Sequence, residues 1–307
     1  MRRIALITAT AVLGGGVLLA GCGGGSPGNG SGSATTVPLS ASTGTTAGRD
    51  AATEVSRAYA TLRATSYVST GATTQEVDAS GIDASLRDQV EEQFAAGRAG
   101  LSTRTRFESP DRVEITQAVG GREQEVVLYD GEVFVSPDGA KWARVTGDAA
   151  DAFSQASAVA GLDPASLFTD LRLDGTATID GAPATRYSGL VDTAAAGQAV
   201  QSVIGGLGDL GTAVGDAVTL RSGTVELQVA DATGTVARQD ITMEITFDFG
   251  ALARAAGQDD AAGLGTMVIT SAATERITDV GGDVVVEKPT ASTTVSSLVD
   301  LGEFLTS

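Results

Sequence analysis

Residues 236–249 constrain the fold of this chain more than any other segment, because from Ile241 to Phe249 the side chains alternate between apolar and polar without a fault. Ile241, Met243, Ile245 and Phe247 are apolar, and the residues between them are polar. Successive side chains of a strand point to opposite faces, so the pattern predicts a strand with one buried and one solvated face. Such strands are typical of antiparallel sheets, whose apolar face has to be covered by other elements.

A period of two recurs along most of the chain and predicts a large antiparallel sheet. Turn-forming residues separate the runs, among them Asp130-Gly131 and Asp180-Gly181, and Asp-Gly is a strong signal of a hairpin. Further strands are predicted at residues 67–74, 101–107, 113–119, 125–129, 133–136, 142–145, 173–179, 184–191, 218–229 and 266–277. The predicted fold class is α+β, with helices packed on one face of this sheet.

The helices are predicted from apolar residues that recur at helical spacing. Val55, Ala58, Tyr59 and Leu62 share one stripe of a first helix that begins after Asp50, a residue suited to the N-cap, and ends near residue 64. Further helices are predicted at 83–96, at 149–159 and near the C-terminus. The glycine-rich segment 193–217 is weakly amphipathic, and we expect it to be mobile or partly unwound.

A short helix is predicted where Asp163 is followed by Pro164, because an N-cap residue before proline is typical of a helix start. We expect this helix to present Leu167, Phe168 and Leu171 to the core.

The four residues Leu19-Ala20-Gly21-Cys22 match a lipobox, the site at which bacterial lipoproteins are acylated and cut. Arg2 and Arg3 precede an apolar run that reaches the box, which is the layout of an export signal. We therefore predict a signal peptide at 1–21, an acylated Cys22 with a tether rich in Gly, Ser and Thr at 22–49, and a folded domain at 50–307. The predicted location is the extracytoplasmic face of the cell membrane. An ordinary secretory signal or a single membrane span remains the alternative.

Composition excludes several classes of function. The formal net charge is −18, so we expect no nucleic-acid partner. The chain contains no histidine and has a single cysteine, Cys22, which removes the commonest general base, the commonest transition-metal ligand and the thiol nucleophile. We therefore expect no catalytic residue, no metal site, no cofactor and no enzymatic activity.

The predicted cover of the sheet consists of short helices rich in alanine and glycine, and this leaves two interpretations open. Bulky side chains of the sheet can pack against small residues of the helices and form a dry, filled core. Alternatively, the small residues leave a cleft between sheet and helices for an apolar ligand.

Several weak motifs together resemble the LolA-like family of lipoproteins, in particular its LppX and LprG branch. They are the lipobox with its tether, the hairpin at Leu128-Tyr129-Asp130-Gly131 that leads to Lys141-Trp142, the helix start at Leu162-Asp163-Pro164, the turn within residues 229–234 and a closing strand near Pro289. The resemblance spans residues 51–289. It implies a half-barrel of antiparallel strands with helices on the concave face and a hydrophobic cavity that holds lipid acyl chains.

The resemblance implies a protein that binds a lipid or glycolipid and carries it through the cell envelope, with a lipid transporter as a possible partner. A protein-binding envelope sensor and a structural lipoprotein without cargo are the alternatives. The candidate lipid-binding residues are apolar positions of the strands, with a lid contributed by the glycine-rich segment. They are Val113, Ile115, Val225, Leu227, Met243, Ile245 and Phe247 for the cavity and Val203, Ile204 and Leu207 for the lid.

Overall fold

The structure is a computed structural model that describes residues 50–84, 87–88, 90–91, 100–119, 121–150, 153, 163–205, 215, 217–255 and 264–306. The predicted signal peptide and tether, Leu207 and most of the predicted helices at 83–96 and 149–159 lie outside these residues. No helix within the described ranges has both the length and the apolar character that a membrane span requires.

A single open sheet with twelve strands in its described part organises the domain. Its order is β12-β6-β5-β4-β3-β2-β1-β11-β10-β9-β8-β7. The strands are β1 (Tyr67–Asp78), β2 (Leu101–Glu108), β3 (Arg112–Val119), β4 (Arg122–Tyr129), β5 (Glu132–Ser136), β6 (Ala143–Val145), β7 (Phe168–Ile179), β8 (Ala182–Val191), β9 (Val218–Ala230), β10 (Val236–Asp248), β11 (Thr266–Thr278) and β12 (Thr293–Val295).

Two antiparallel meanders, β1 to β6 and β7 to β11, meet in the middle of the sheet. They are joined where β1 pairs with β11, with Gln75 opposite Ser271 and Gly71 opposite Glu275. Only the short β12 runs parallel to its neighbour β6 among the described pairs. Together with the helices described next, this arrangement confirms the predicted α+β class with a large antiparallel sheet.

Helix α1 (Ala51–Arg63) forms for the reasons that its sequence predicts. The Asp50 carboxylate accepts a hydrogen bond from the Ala52 amide at 3.3 Å and caps the first turn. Its apolar stripe is fully buried, and the helix packs against β7 and β10. The buried residues are the four that helical spacing selected: Val55, Ala58, Tyr59 and Leu62.

The helix predicted after Asp163 is shorter than expected. Asp163 does cap it, accepting from the Ala165 amide at 3.1 Å, but it is a single 3-10 turn, Pro164–Leu167. Phe168 is already extended and pairs with Val191 of β8, and Leu171 lies in β7. The prediction that Phe168 and Leu171 are helical was therefore wrong, because pairing with β8 outweighs the local helical spacing.

Three further helices have described bounds: α2 (Thr193–Gly205), α3 (Phe249–Ala255) and α4 (Leu298–Thr306). Helix α2 forms the first half of segment 193–217, which we expected to be mobile or partly unwound. Phe249, predicted to end a strand, begins α3.

The closing strand predicted near Pro289 is absent from the described residues, since 283–291 has no regular structure and the last strand is β12. Segment 283–291 instead covers the face of the sheet opposite α1, where Val286 is buried against Val127 and Phe134. Tyr129 and Trp142 border this separate cluster. The packing of Val286 against the sheet does not require the backbone hydrogen bonds of a strand. The apolar run at 284–286 can therefore be buried without forming a strand.

The face of the sheet that packs against α1 is called the inner face below. Its apolar residues fall into three clusters, of which the third includes Val133 and Val135 of β5 and Leu301. The first joins α1 to β8, β9 and β10 and includes Tyr187, Leu227 and Ile241. The second lies at the other end of β10 and β11 and includes Phe247 and Met267.

Candidate functional site

The structure brings most of the predicted cavity residues together on the inner face. Four of them belong to the first apolar cluster and are buried: Val225, Leu227, Met243 and Ile245. Val113 is buried in the same cluster and Ile115 borders it, while Phe247 belongs to the second cluster. The backbone of Val203 and Ile204 is helical within α2, and Leu207 lies beyond the described residues. Period-two alternation therefore identified the inner face correctly.

A crevice opens in this face where the 3-10 helix, the start of α2 and β10 meet. Seven of the described residues lining it are apolar and one, Gln239, is polar. They are Pro164, Leu167, Phe168, Val191, Ala196, Gln239, Ile241 and Met243. Met243 is the member that the sequence predicted as a cavity residue. The others come from segments far apart in the chain, and alternation within one strand could not have grouped them.

The volume of the crevice is about 10 Å³. A cavity of this size holds about one water molecule, whereas sites for ligands of drug size measure about 300 Å³ or more. The crevice therefore marks the junction between sheet and cover, and it does not accommodate an acyl chain in this conformation.

Small residues shape the crevice on both sides. Ala196 is fully buried on the first turn of α2. Gly223 of β9 lies opposite Met243, and the Val191 side chain fills the space that a Cβ there would need, with Cγ2 at 2.7 Å from the ideal position. A larger residue at Gly223 would push Val191 into the crevice.

Asp163 fastens the 3-10 helix to α1 through side chains. Its carboxylate accepts a hydrogen bond from the Ser56 hydroxyl and pairs with the Arg63 guanidinium at 3.5 Å. The same carboxylate caps the 3-10 helix. Two covering elements are thus held together by one side chain, which is called the Asp163 clasp below.

Polar groups form part of the inner face, and alternation of apolar residues did not reveal them. Tyr59 of α1 donates its hydroxyl hydrogen bond to Oε1 of Gln239, which is itself buried and lines the crevice. Gln239 lies opposite Glu275 in the pairing of β10 with β11. The Glu275 carboxyl is fully buried, and burial raises its pKa to about 7, although a hydrogen bond from Ser69 acts in the opposite direction.

Glu275 belongs to a group of buried polar residues between the first and second apolar clusters, in the centre of the sheet. This group is called the inner polar band. It comprises Ser69, Thr73 and Gln75 of β1, Thr105 of β2, and Ser271 and Glu275 of β11. Cross-strand pairing places these side chains on one face, since Ser69 lies opposite Thr105 and Gln75 opposite Ser271.

Two atoms of the inner polar band have no hydrogen-bond partner within the described part of the chain: Oε1 of Gln75 and Oγ of Ser271. Gln75 is 7% exposed and Ser271 is 0% exposed. A buried polar atom without a partner costs about 1 to 3 kcal/mol. These two atoms therefore make the inner polar band less stabilising than apolar side chains of the same shape would be.

No family model and no curated protein matches the chain. Among solved structures, the chain is similar to the lipoprotein LppX of Mycobacterium tuberculosis, with 13% identity, a TM-score of 0.44, and coverage of 77% of this chain and 98% of LppX.

Two further solved structures are similar over most of the chain. LprF of Mycobacterium bovis shares 12% identity with a TM-score of 0.37 and coverage of 78% of this chain and 96% of LprF. The Pseudomonas aeruginosa MucA/MucB complex matches with 13% identity, a TM-score of 0.32, and coverage of 73% of this chain and 93% of the matched chain.

Proposed function

We propose that this chain is an extracytoplasmic lipoprotein, anchored to the membrane through acylated Cys22, that binds the acyl chain of a lipid or glycolipid and carries it through the cell envelope. The acyl chain lies between the inner face and its covering helices. The observation that carries the proposal is the crevice above Met243, where three segments meet through apolar side chains.

The composition of the cover supports this proposal. Three of its residues in the first apolar cluster are alanines, Ala58, Ala165 and Ala196, and an alanine side chain buries little apolar area. Each methylene of an acyl chain that leaves water contributes about 0.8 kcal/mol. Burial of an acyl chain of ordinary length therefore contributes more free energy than is lost when the few alanine side chains leave the inner face.

Uptake requires the cover to move, because the crevice is far smaller than an acyl chain. The Asp163 clasp holds α1 and the 3-10 helix together, so we propose that α2 is the element that swings away. Its buried residues include Ala196, which belongs to the first apolar cluster, and Ala199, and separating two alanine side chains from their contacts costs little. Val203, Ile204 and Leu207 remain our proposed lid residues, and the seven cavity residues of the strands form the floor.

The proposal is tested by lipid extraction from the full chain carrying Cys22→Ser, which removes the acylation site. The protein is purified from its native host without detergent and its organic extract is analysed by mass spectrometry. We expect about one lipid per chain. Folded, monomeric protein that yields no lipid contradicts the proposal and favours the sensor or the structural role.

Ala196→Leu tests the location of the bound chain. Leucine at this position fills the crevice from the α2 side, so we expect lipid occupancy to fall several-fold. Ala194→Leu is the matched control, because Ala194 lies on the same helix but is exposed. Thermal melting of both variants checks that they fold. Equal occupancy in the two folded variants would place the lipid elsewhere.

A further inference from the structure

Gln75 and Ser271 lie side by side on the inner face. They are direct partners in the antiparallel pairing of β1 with β11, which brings Cβ atoms to within about 5.5 Å of each other. On its other side Ser271 lies opposite Met243 of β10. The three residues form a row across the inner face that begins at the crevice and ends in the inner polar band.

This row combines a lining residue of the crevice with two unpartnered polar atoms. Within the described ranges, neither Oε1 of Gln75 nor Oγ of Ser271 has a hydrogen-bond partner, and both residues are more than nine-tenths buried. Buried polar atoms in proteins are normally hydrogen-bonded. Two neighbouring exceptions on the face proposed to receive a ligand indicate that the missing partner belongs to that ligand.

The chemistry of the two atoms defines the missing group. The Gln75 carboxamide oxygen only accepts hydrogen bonds, whereas the Ser271 hydroxyl both donates and accepts. A hydroxyl group can donate to Gln75 and accept from Ser271 through one oxygen atom. A secondary amide directs its N–H and its C=O to opposite sides, and a carboxylate has no proton to donate to Gln75.

We propose that Gln75 and Ser271 form a polar subsite for a hydroxyl group borne on the hydrocarbon part of the lipid. The inference rests on the proposed lipid-binding function and specifies its substrate class: a hydroxylated acyl chain. The apolar clusters at either end of the inner polar band hold the methylene segments on both sides of the hydroxyl-bearing carbon.

The experiment compares uncharged probes, because the chain itself is strongly acidic. Delipidated full chain carrying Cys22→Ser is titrated with methyl stearate and with the methyl esters of a positional series of monohydroxystearic acids, delivered from cyclodextrin. Displacement of a fluorescent acyl probe gives each affinity. We expect at least one hydroxy isomer to bind about tenfold more tightly than methyl stearate, since it makes two additional buried hydrogen bonds.

Ser271→Ala removes one half of the subsite, and we expect it to reduce this preference to about twofold or less. The substitution deletes only an unpartnered hydroxyl, so the variant keeps its fold. Gln75→Met removes the other half with a side chain of similar length. Thr270→Ala is the matched control, since Thr270 neighbours Ser271 in β11 but points to the opposite face, and it should keep the full preference.

The outcomes separate this inference from the proposed function. Equal affinity for methyl stearate and every hydroxy isomer overturns the subsite while lipid binding stands; a bound water would then satisfy the two atoms. A preference that persists in Ser271→Ala and in Gln75→Met also overturns it. Failure of all probes to bind overturns lipid uptake itself.

Discussion

At the scale of single residues, Glu275 makes the stability of the domain depend on pH. Its ordinary pKa is 4.5, and burial raises the pKa to about 7. Between these values the folded chain keeps a proton that the unfolded chain has lost, so stability falls as the pH rises towards 7 and is constant above it. The full loss is about 3 kcal/mol.

Glu275→Gln removes the ionisable group and can retain the hydrogen bond from Ser69. We expect the variant to gain stability relative to wild type as the pH rises, by about 2 kcal/mol between pH 5.5 and pH 8. Urea unfolding at the two pH values measures the difference. An equal gain in the free energy of unfolding at both pH values would show that Glu275 does not titrate between them.

Alternation predicted the apolar half of the inner face and missed its polar half. Met243 and Ile245 stand out because every second residue from Ile241 to Phe247 is apolar. Gln239 in the same strand and Glu275 in β11 occupy equivalent inward positions, but in the sequence they are indistinguishable from solvent-facing residues. Their burial depends on pairing and cover from distant segments, which a local pattern does not contain.

At the scale of elements, the Asp163 clasp joins two pieces of the cover. Asp163→Ala removes the cap of the 3-10 helix, the acceptor of the Ser56 hydrogen bond and the ion pair with Arg63. We expect a loss of about 2 kcal/mol in the free energy of unfolding, measured in urea. Asp163→Asn keeps one oxygen for the cap and replaces the oxygen that accepts from Ser56 by an NH2 group, which can donate to the Ser56 hydroxyl oxygen, so we expect it to lose less stability than Asp163→Ala.

Asp50→Ala provides the control for the clasp, because Asp50 caps α1 and has no described contact with another element. Its expected loss is about 1 kcal/mol, the value of a cap alone. Equal losses for Asp50→Ala and Asp163→Ala would show that the contacts between α1 and the 3-10 helix add nothing to stability.

Elements bounded by turn formers were predicted well, and elements bounded by tertiary contacts were not. Asp130-Gly131 and Asp180-Gly181 adopt positive φ at both positions, as their two-residue hairpins require, so the strands around them lie close to where the sequence placed them. The 3-10 helix and the segment 283–291 have no such signal. Their conformations depend on pairing with β8 and on packing against Val127 and Phe134.

At the scale of the whole molecule, the join of β1 to β11 creates the single sheet from two meanders. Each meander follows from consecutive hairpins and could be predicted. The join pairs segments about 200 residues apart, with Val68 opposite Thr278, and no local signal specifies a partner at that distance. The same join brings Gln75 next to Ser271, which is why the proposed subsite had no counterpart in the sequence patterns.

The proposed location of the molecule depends on one atom, the sulfur of Cys22. With a formal net charge of −18 the protein surface is repelled by anionic lipid, so membrane binding has to come from acyl chains, each buried methylene contributing about 0.8 kcal/mol. Two chains hold a protein stably, whereas one is marginal.

We expect the wild-type chain to stay in the membrane fraction after a high-salt wash and Cys22→Ser to be released. Ser31→Ala, in the tether, should remain bound. Retention of Cys22→Ser would indicate that the N-terminal apolar run spans the membrane, and release of the wild type would indicate an ordinary secretory signal.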